Sequence, residues 1–407
     1  MSSNHSPVVF ARDHWRTSLS QRMQQRQAEG LVRQRLLREG LCTPVQQLDG
    51  QQLVSFCSND YLGMAAHPEV IAAFQAAARE YGVGSGASDM VTGHCRIHRE
   101  LEEALADFTG RDKALLFSTG YMANMGVINA LADERTLILQ DALNHASLLD
   151  GGWLSRGRSV RFPHADLQAL EQQLQATDAP CLIVSDGVFS MDGDVAPMQG
   201  LIALAHKYQA GLMIDDAHGI GCLGEHGRGV IELGADSGFI DQHDLPVLVG
   251  TFGKALGTAG AFVAGDSDLI DYIEQFARTH IFTTAMPPAL AAATLRSLEL
   301  VQSESWRRTH LQSLIRRFRQ GTEDIGLQLL PSDSAVQAFV IGEVEKTMTA
   351  SRYLRVRGFQ VSAIRPPTVP AGTARLRFTL SAAHTEQQLE QLLEAVAAMA
   401  EDLDLSK

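Results

Sequence analysis

In this chain of 407 residues, Lys254 stands where covalent chemistry is easiest to place: it ends the run Thr251-Phe252-Gly253-Lys254, directly after the apolar stretch Pro246 to Gly250. Two other polar groups follow apolar stretches in the same way. Ser190, Asp192 and Asp194 come after Cys181 to Ser185, and Asp215-Asp216-Ala217-His218 closes Gly211 to Ile214. If these stretches are strands of a parallel sheet, their carboxyl ends converge and the three groups face one cleft. Each alone also reads as plain structure, because carboxylates at strand ends cap helices and a Gly-Lys pair makes a solvated turn. Together they suit pyridoxal phosphate, which needs a lysine for an imine and a carboxylate facing the pyridine nitrogen, since a protonated ring is the better electron sink. Lys254 and Asp215 supply both. An ordinary lysine, with a pKa of about 10.4, is neutral in only one molecule in a few thousand at pH 7, so this one must be desolvated or engaged. Gly253 permits the close backbone approach that this requires.

A phosphate also needs a seat. Ser118-Thr119-Gly120-Tyr121 follows the apolar Ala114 to Phe117 and opens a helix through Met122 to Leu131, so it presents free N–H groups at a positive dipole end. The same residues read equally as a strand-to-helix turn. His145, in Leu143-Asn144-His145-Ala146-Ser147, could stack on the pyridine ring or serve as a structural histidine, and composition does not choose between them.

Other signals fail their context. Gly219, Gly221 and Gly224 match the spacing of a dinucleotide loop, but further glycines over Glu225 to Gly229 occupy the place where a helix must begin. His94 and His98 are four apart without the intervening Glu of a zinc-protease helix and without an evident third ligand, so a helix-entry or packing role is expected and no metal site. No phosphate-binding P-loop surrounds Lys254.

The elements that must position these groups follow from periodicity. From about Ser58 to Gly265, helices such as His98 to Thr109, closed by Gly110, alternate with apolar runs, which predicts an α/β fold with a mostly parallel central sheet. The clearest strands are Ala114 to Phe117, Cys181 to Ser185, Gly211 to Asp215, Pro246 to Gly250 and Ala261 to Ala264. Trp15 to Gly40 reads as an arginine-rich helical arm with Leu31, Val32, Leu36 and Leu37 as a narrow apolar stripe. After Pro288 come long helices and a strand at Arg375 to Leu380; then Thr385 and Gln388 open a last helix through Leu403 as a capping box. The expected organisation is an arm over 1–57, a large domain over 58–288 and a smaller α/β domain over 289–407.

Bulk properties limit the partners. With 47 acidic against 34 basic residues the net charge is −13, which repels nucleic acid and anionic lipid. No apolar run reaches membrane-spanning length and Met1 to Arg12 lacks a signal-peptide core, so a cytoplasmic protein is expected. Five scattered cysteines without a Cys-x-x-Cys pair fit a reducing compartment.

The motifs together resemble those of the α-oxoamine synthases, fold-type I pyridoxal-phosphate enzymes that join an amino acid to an acyl thioester with loss of carbon dioxide. The matching stretches are Ser58-Asn59-Asp60-Tyr61-Leu62-Gly63, Gly84-Ser85-Gly86, Asn144-His145-Ala146-Ser147, Gly187-Val188-Phe189-Ser190-Met191-Asp192-Gly193, Asp215-Asp216-Ala217-His218-Gly219 and Thr251-Phe252-Gly253-Lys254. Within that family, Ala363-Ile364-Arg365-Pro366-Pro367-Thr368-Val369-Pro370 through Arg377 looks like the member that condenses L-alanine with a pimeloyl thioester, carried by coenzyme A or acyl carrier protein. Departures are Cys57 for Ser, Tyr121 for Phe and a slightly longer arm. The resemblance implies that Lys254 holds the cofactor and acts as base, Asp215 pairs with the ring nitrogen, His218 and Ser190 bond the phenolic side, and His145 stacks on the ring. It further implies that Gly120, Tyr121 and Thr251 cradle the phosphate, Asn59 and Arg377 hold the amino-acid carboxylate, and Arg33 and Thr368 face the acyl donor. Thr283 or Thr284, ahead of Pro287-Pro288, would reach the phosphate of a second copy in a homodimer with a shared site. The rival readings are a relative that uses glycine with another acyl thioester, and a non-catalytic pyridoxal-fold subunit.

Overall fold

The computed structural model describes residues 12–33, 35–234 and 238–405. The chain begins with α1 (Arg12–Ala28), followed by a small antiparallel meander of β1 (Arg38–Glu39), β2 (Val45–Leu48) and β3 (Gln51–Ser55). The arm differs from the single helix expected over Trp15 to Gly40. The helix ends at Ala28, Gly30 takes a left-handed φ of 66°, and Leu31, Val32, Leu36 and Leu37 lie beyond it. The stripe therefore never forms, and the chain instead bonds to the hairpin through Leu37 N–H and the Asp49 carboxylate at 2.9 Å.

Next come α2 (Pro68–Tyr81) and α3 (Arg96–Thr109), the latter closed by left-handed Gly110 as expected. They lead into the large domain: β4 (Lys113–Phe117), α4 (Gly120–Leu131), β5 (Leu137–Asp141), α5 (Ala146–Leu154), β6 (Arg158–Phe162), α6 (Leu167–Gln175), β7 (Cys181–Asp186), α7 (Met198–Tyr208), β8 (Gly211–Asp215), β9 (Val247–Thr251), β10 (Ala261–Gly265) and the helices α8 (Ser267–Phe276) and α9 (Arg278–Ile281). The seven strands lie in the order β4-β10-β9-β8-β7-β5-β6, all parallel except β10, which runs antiparallel to both of its neighbours. Apolar clusters cover both faces, one around Leu139, Ile183, Ile214 and Leu248, the other around Phe117, Val184, Met213 and Val263. β5 and β6 were not among the strands read from sequence. β6 is an edge strand whose Arg158 and Arg161 are exposed, so it lacks the continuous apolar signal of a central strand.

The chain then runs through α10 (Pro288–Ser303), with Pro288 in its first turn, and α11 (Trp306–Asp324). The C-terminal part adds β11 (Val336–Gly342), α12 (Val344–Val356), β12 (Phe359–Gln360), β13 (Ser362–Ile364), β14 (Ala374–Thr379) and α13 (Glu386–Asp402). Thr385 and Gln388 form the expected capping box on α13. β11, β14 and β13 make a three-stranded sheet, while β12 pairs in parallel with β3. The hairpin of the N-terminal segment is thus sewn to the C-terminal part, and α10 packs along α2 and α3. One core extends across this seam, from Phe56 and Leu101 to Phe318, Phe378 and Leu392.

Candidate active site

The end of β4 turns into α4 through Thr119, an extended residue whose hydroxyl accepts the Met122 N–H at 3.1 Å. That leaves the N–H groups of Gly120 and Tyr121 leading the helix without intrahelical partners. Gly120 lies against Thr251: a Cβ placed there would sit 3.8 Å from the threonine hydroxyl. Thr251 itself donates to the Gly260 carbonyl at 3.0 Å. The three residues expected around a phosphate are therefore neighbours. Tyr121, where the family has Phe, turns its hydroxyl to the Asp150 carboxylate and its ring edge-on to His145.

Asp215, at the buried end of β8, accepts from Ala217 N–H at 3.0 Å and from the Asn124 amide at 2.6 Å. Asn124 also donates to Ser147 Oγ at 2.9 Å, and Ser147 Oγ lies 2.7 Å from His145 Nδ1. A short polar chain thus links Asp215 to His145. Asp186 stands beside Asp215 in the adjoining strand and accepts the His145 N–H at 2.6 Å. Burial pushes the Asp186 carboxyl well above the carboxylate range, and the neighbouring Asp215 charge adds to the effect.

Lys254 lines the cleft half-buried, with its ammonium in desolvated surroundings. Burial lowers its pKa to about 8, against the pull of the Asp215 and Asp186 carboxylates. Burial likewise lowers the pKa of His145, and drives that of His218 far down, where the Lys254 and Arg377 charges act in the same direction. His218 Nδ1 lies 2.7 Å from the Tyr61 hydroxyl.

From the other side β14 sends two arginines into the cleft. Arg377 donates to the Ser190 carbonyl at 2.6 Å and to Asn59 Oδ1 at 3.3 Å, which brings together the two residues expected to hold a carboxylate. Arg375 pairs with Asp192. Asp194 is taken by His164 at 2.8 Å, so the two acids read as companions of Ser190 are both bound in ion pairs. Asp216, next to Asp215 in the chain, is fully buried. Its carboxylate accepts the Val230 N–H at 2.8 Å, and a Cβ at Gly187, Gly219 or Gly229 would strike it. The glycine-rich turn that imitates a dinucleotide loop is a cage for this buried acid.

Arg33 reaches Thr368 Oγ1 at 2.8 Å across 335 positions, so the two residues expected at the acyl donor meet on the surface. Thr284 makes an isolated antiparallel bridge with Ser88, and its carbonyl accepts from Ser118 Oγ at 3.3 Å. His98 enters α3 through a box with Cys95 and bonds the Met286 carbonyl at 2.8 Å, the structural role expected of it. No cluster of metal ligands occurs among the described residues, where no helix is long and apolar enough to cross a membrane.

Sequence reasoning missed Asn124, Ser147, Asp186, His164 and Arg375. Two carried a usable signal: Asp186 ends a strand as Asp215 does, and Arg375 precedes Arg377 by the two residues that return a strand to the same face. Asn124 carried none, since only the packing of α4 on the sheet aims it at β8.

These groups fit pyridoxal phosphate: an amine of lowered pKa, a buried carboxylate held by an amide, and unengaged N–H groups at a helix start. Residues 51–396 match the aminotransferase class I and II family. An 8-amino-7-oxononanoate synthase of Pseudomonas putida (strain GB-1) is 55% identical over 379 residues, covering 93% of this chain and 96% of its own. A solved structure of SPT with its PLP internal aldimine superposes with a TM-score of 0.90 at 32% identity, covering 96% of this chain and 99% of that one. An 8-amino-7-oxononanoate synthase from Francisella tularensis gives a TM-score of 0.75 at 28% identity, covering 87% of this chain and 99% of that one. By its cleft, its fold and these likenesses, the chain belongs to the aminotransferase class I and II family and, within it, to the pyridoxal-phosphate-dependent 8-amino-7-oxononanoate synthases, which are acyltransferases of biotin synthesis.

Proposed function

We propose that the chain condenses L-alanine with a pimeloyl thioester, releasing carbon dioxide and the carrier thiol and yielding 8-amino-7-oxononanoate, in the cytoplasm. The observation that carries this reading is the junction of Arg377 with Asn59 beside Lys254, in a chain 55% identical to a synthase of that name. A guanidinium fork fits a carboxylate at two points, so Arg377 seats the amino acid with its α-carbon toward the lysine. Pyridoxal phosphate, when bound, supplies an electron sink for the pair left behind when the α-proton or the carboxylate departs.

The protein's own groups do the rest. Lys254 would hold the cofactor and, as a free amine, would serve as the base for the α-proton. With a pKa of about 8 roughly a tenth of such amines are neutral at pH 7, several hundred times the share of an ordinary lysine. Asp215 would face the ring nitrogen, with Asn124 and the Ala217 N–H fixing its two oxygens. His218, whose Nδ1 lies 2.7 Å from the Tyr61 hydroxyl, and Ser190 would bond the phenolic oxygen. His145 would stack on the ring. Gly120, Tyr121 and Thr251 would hold the phosphate, and Arg33 and Thr368, bonded to each other, would meet an acyl donor borne by coenzyme A or acyl carrier protein.

The site is shared in a homodimer, with Thr283 or Thr284 reaching the phosphate of a second copy. Support comes from exposed apolar side chains on neighbouring segments. Val83 is 89% exposed, Val91 72% and Phe282 70%, on two segments joined by the bond from Ala285 N–H to the Ala87 carbonyl. Mixing Lys254→Ala chains with chains altered at both threonines should restore part of the activity; full subunit exchange with no recovery refutes sharing. The substrate assignment is tested by feeding alanine or glycine with pimeloyl, acetyl, succinyl and long-chain thioesters and identifying products by mass spectrometry. Alanine with the pimeloyl ester should dominate; preferential use of glycine or another acyl chain overturns it.

A further inference from the structure

His164 follows β6 and touches none of the residues that face the cofactor, yet it joins the two loops that carry them. Its Nδ1 lies 3.0 Å from Asp141 Oδ1 and its Nε2 lies 2.8 Å from Asp194 Oδ2. Asp141 ends β5 and receives two further N–H bonds, from Leu143 at 2.8 Å and Ala165 at 2.8 Å, so its carboxylate organises the turn into Asn144 and His145. Asp194 closes the loop that begins at Phe189, whose N–H bonds the Asp194 carbonyl at 2.9 Å and whose ring meets the imidazole edge-on at 4.4 Å. That loop carries Ser190, and the C-terminal sheet grips it from its far side through Arg377, Arg375 and the bond from Ser332 Oγ to the Gly193 carbonyl at 2.8 Å.

We propose that His164 is a positioning residue of the reaction, an imidazolium strut between Asp141 and Asp194 that braces the His145 turn against the Ser190 loop. This rests on the roles proposed above for His145 and Ser190. The geometry requires the charge. Each ring nitrogen faces a carboxylate oxygen, so both must donate, and a neutral ring would set a lone pair against one of them. The carboxylates hold the imidazole charged against its burial, with a pKa raised to about 9. Asp141 and Asp194 are the ionisable groups that face it; Phe189 supplies the remaining wall. Asp194 Oδ1 is buried without a partner, so His164 is the cation that offsets this acid. The folded pKa lies above the unfolded value of 6.5, so the strut contributes fully below pH 6.5 and fails as the pH rises through 9.

The test uses H164Q, whose amide can donate at one end only, and H164Q/D194N, in which two amides complement each other and Asp141. Three quantities are read: kcat with KM for alanine, the circular dichroism of the bound cofactor band without substrates, and thermal unfolding of the cofactor-free protein from pH 6 to 10. H164Q should lose roughly 10- to 100-fold in kcat, as expected of a misplaced site, with an altered dichroic band and no fall in stability near pH 9. The double variant should recover part of both kcat and band. Unchanged kcat and band in H164Q, or recovery of stability without recovery of the band, overturns the proposal. Should H164Q fail to fold, D194N keeps the hydrogen bond but removes one charge. Its alkaline fall must then move to lower pH, and an unmoved fall overturns the proposal equally. The dichroic band is read without alanine or thioester, so an error in the substrate assignment leaves this test intact.

Discussion

Two sheets meet at one cleft and bring opposite chemistry to it. The carboxyl ends of β5, β7 and β8 contribute buried acids, Asp141, Asp186 and Asp215, each held by N–H or amide donors within the large domain. The C-terminal sheet contributes guanidinium groups, Arg375 and Arg377, whose bonds to Asp192, Ser190 and Asn59 reach out to other parts of the chain. The difference follows from how each charge tolerates burial. A carboxylate can be desolvated where strand ends and helix starts supply fixed donors, whereas an arginine buries its stem and extends a rigid fork across a gap. In the proposed site the acids that would serve the cofactor are thus held by donors of their own sheet and helices, whereas seating the amino acid would depend on the closeness of the two sheets.

The largest loss is expected at Lys254. Lys254→Ala should keep the fold yet lower turnover by roughly 10⁴-fold or more, because imine partner and base vanish together. Borohydride should fix the cofactor to a peptide containing Lys254 in the parent protein, and label on another lysine would refute the assignment. Asp215→Asn keeps shape and removes the charge facing the ring, so we expect a loss of roughly 10²- to 10³-fold in kcat with cofactor still bound. Near-full activity would transfer the role to Asp186, the other buried acid beside His145.

The seam between β3 and the C-terminal part should fail by pH instead. His384 stacks on Phe56 at 4.1 Å, donates from Nε2 to the Ser55 carbonyl at 2.9 Å and accepts the Ser381 N–H at Nδ1, so it is neutral when folded. Burial lowers its pKa to about 4, below the unfolded value of 6.5. Its contribution, up to ~3 kcal/mol, is complete above pH 6.5 and lost as the pH falls toward 4. Thermal unfolding of the parent and of His384→Gln from pH 4 to 7 checks this: the variant should lack that part of the acid loss. The smallest effect is expected across the gap. Arg377→Lys keeps the charge and loses the fork, so KM for alanine should rise about tenfold with kcat changed less; an equal fall in kcat would place Arg377 in the chemical step instead.

Much of this site could be read along the chain because its groups follow strands whose apolar runs are continuous. Lys254 after β9 and Asp215 at the end of β8 needed no tertiary knowledge, and the capping box at Thr385 and the left-handed Gly110 closing α3 were local in the same sense. The arm was misread because its arginine-rich run satisfies helical composition past Gly30, while its course depends on Asp49, in a hairpin still to come. Asp192 and Asp194 looked as chemical as Asp215 in the sequence, and only the fold pairs them with Arg375 and His164, 183 and 30 positions away.

Residue type, strand periodicity and turn chemistry act over a few positions, so the sequence by itself determined which strand ends bear reactive groups and which helices they open. Which acid stays in the cleft, which is caged by glycines and which is paired to a cation was decided by tertiary structure alone. The physical reason is that a charge takes its character from desolvation and from partners within a few ångströms, and in this protein those partners come from the far side of the cleft as often as from the neighbouring residues.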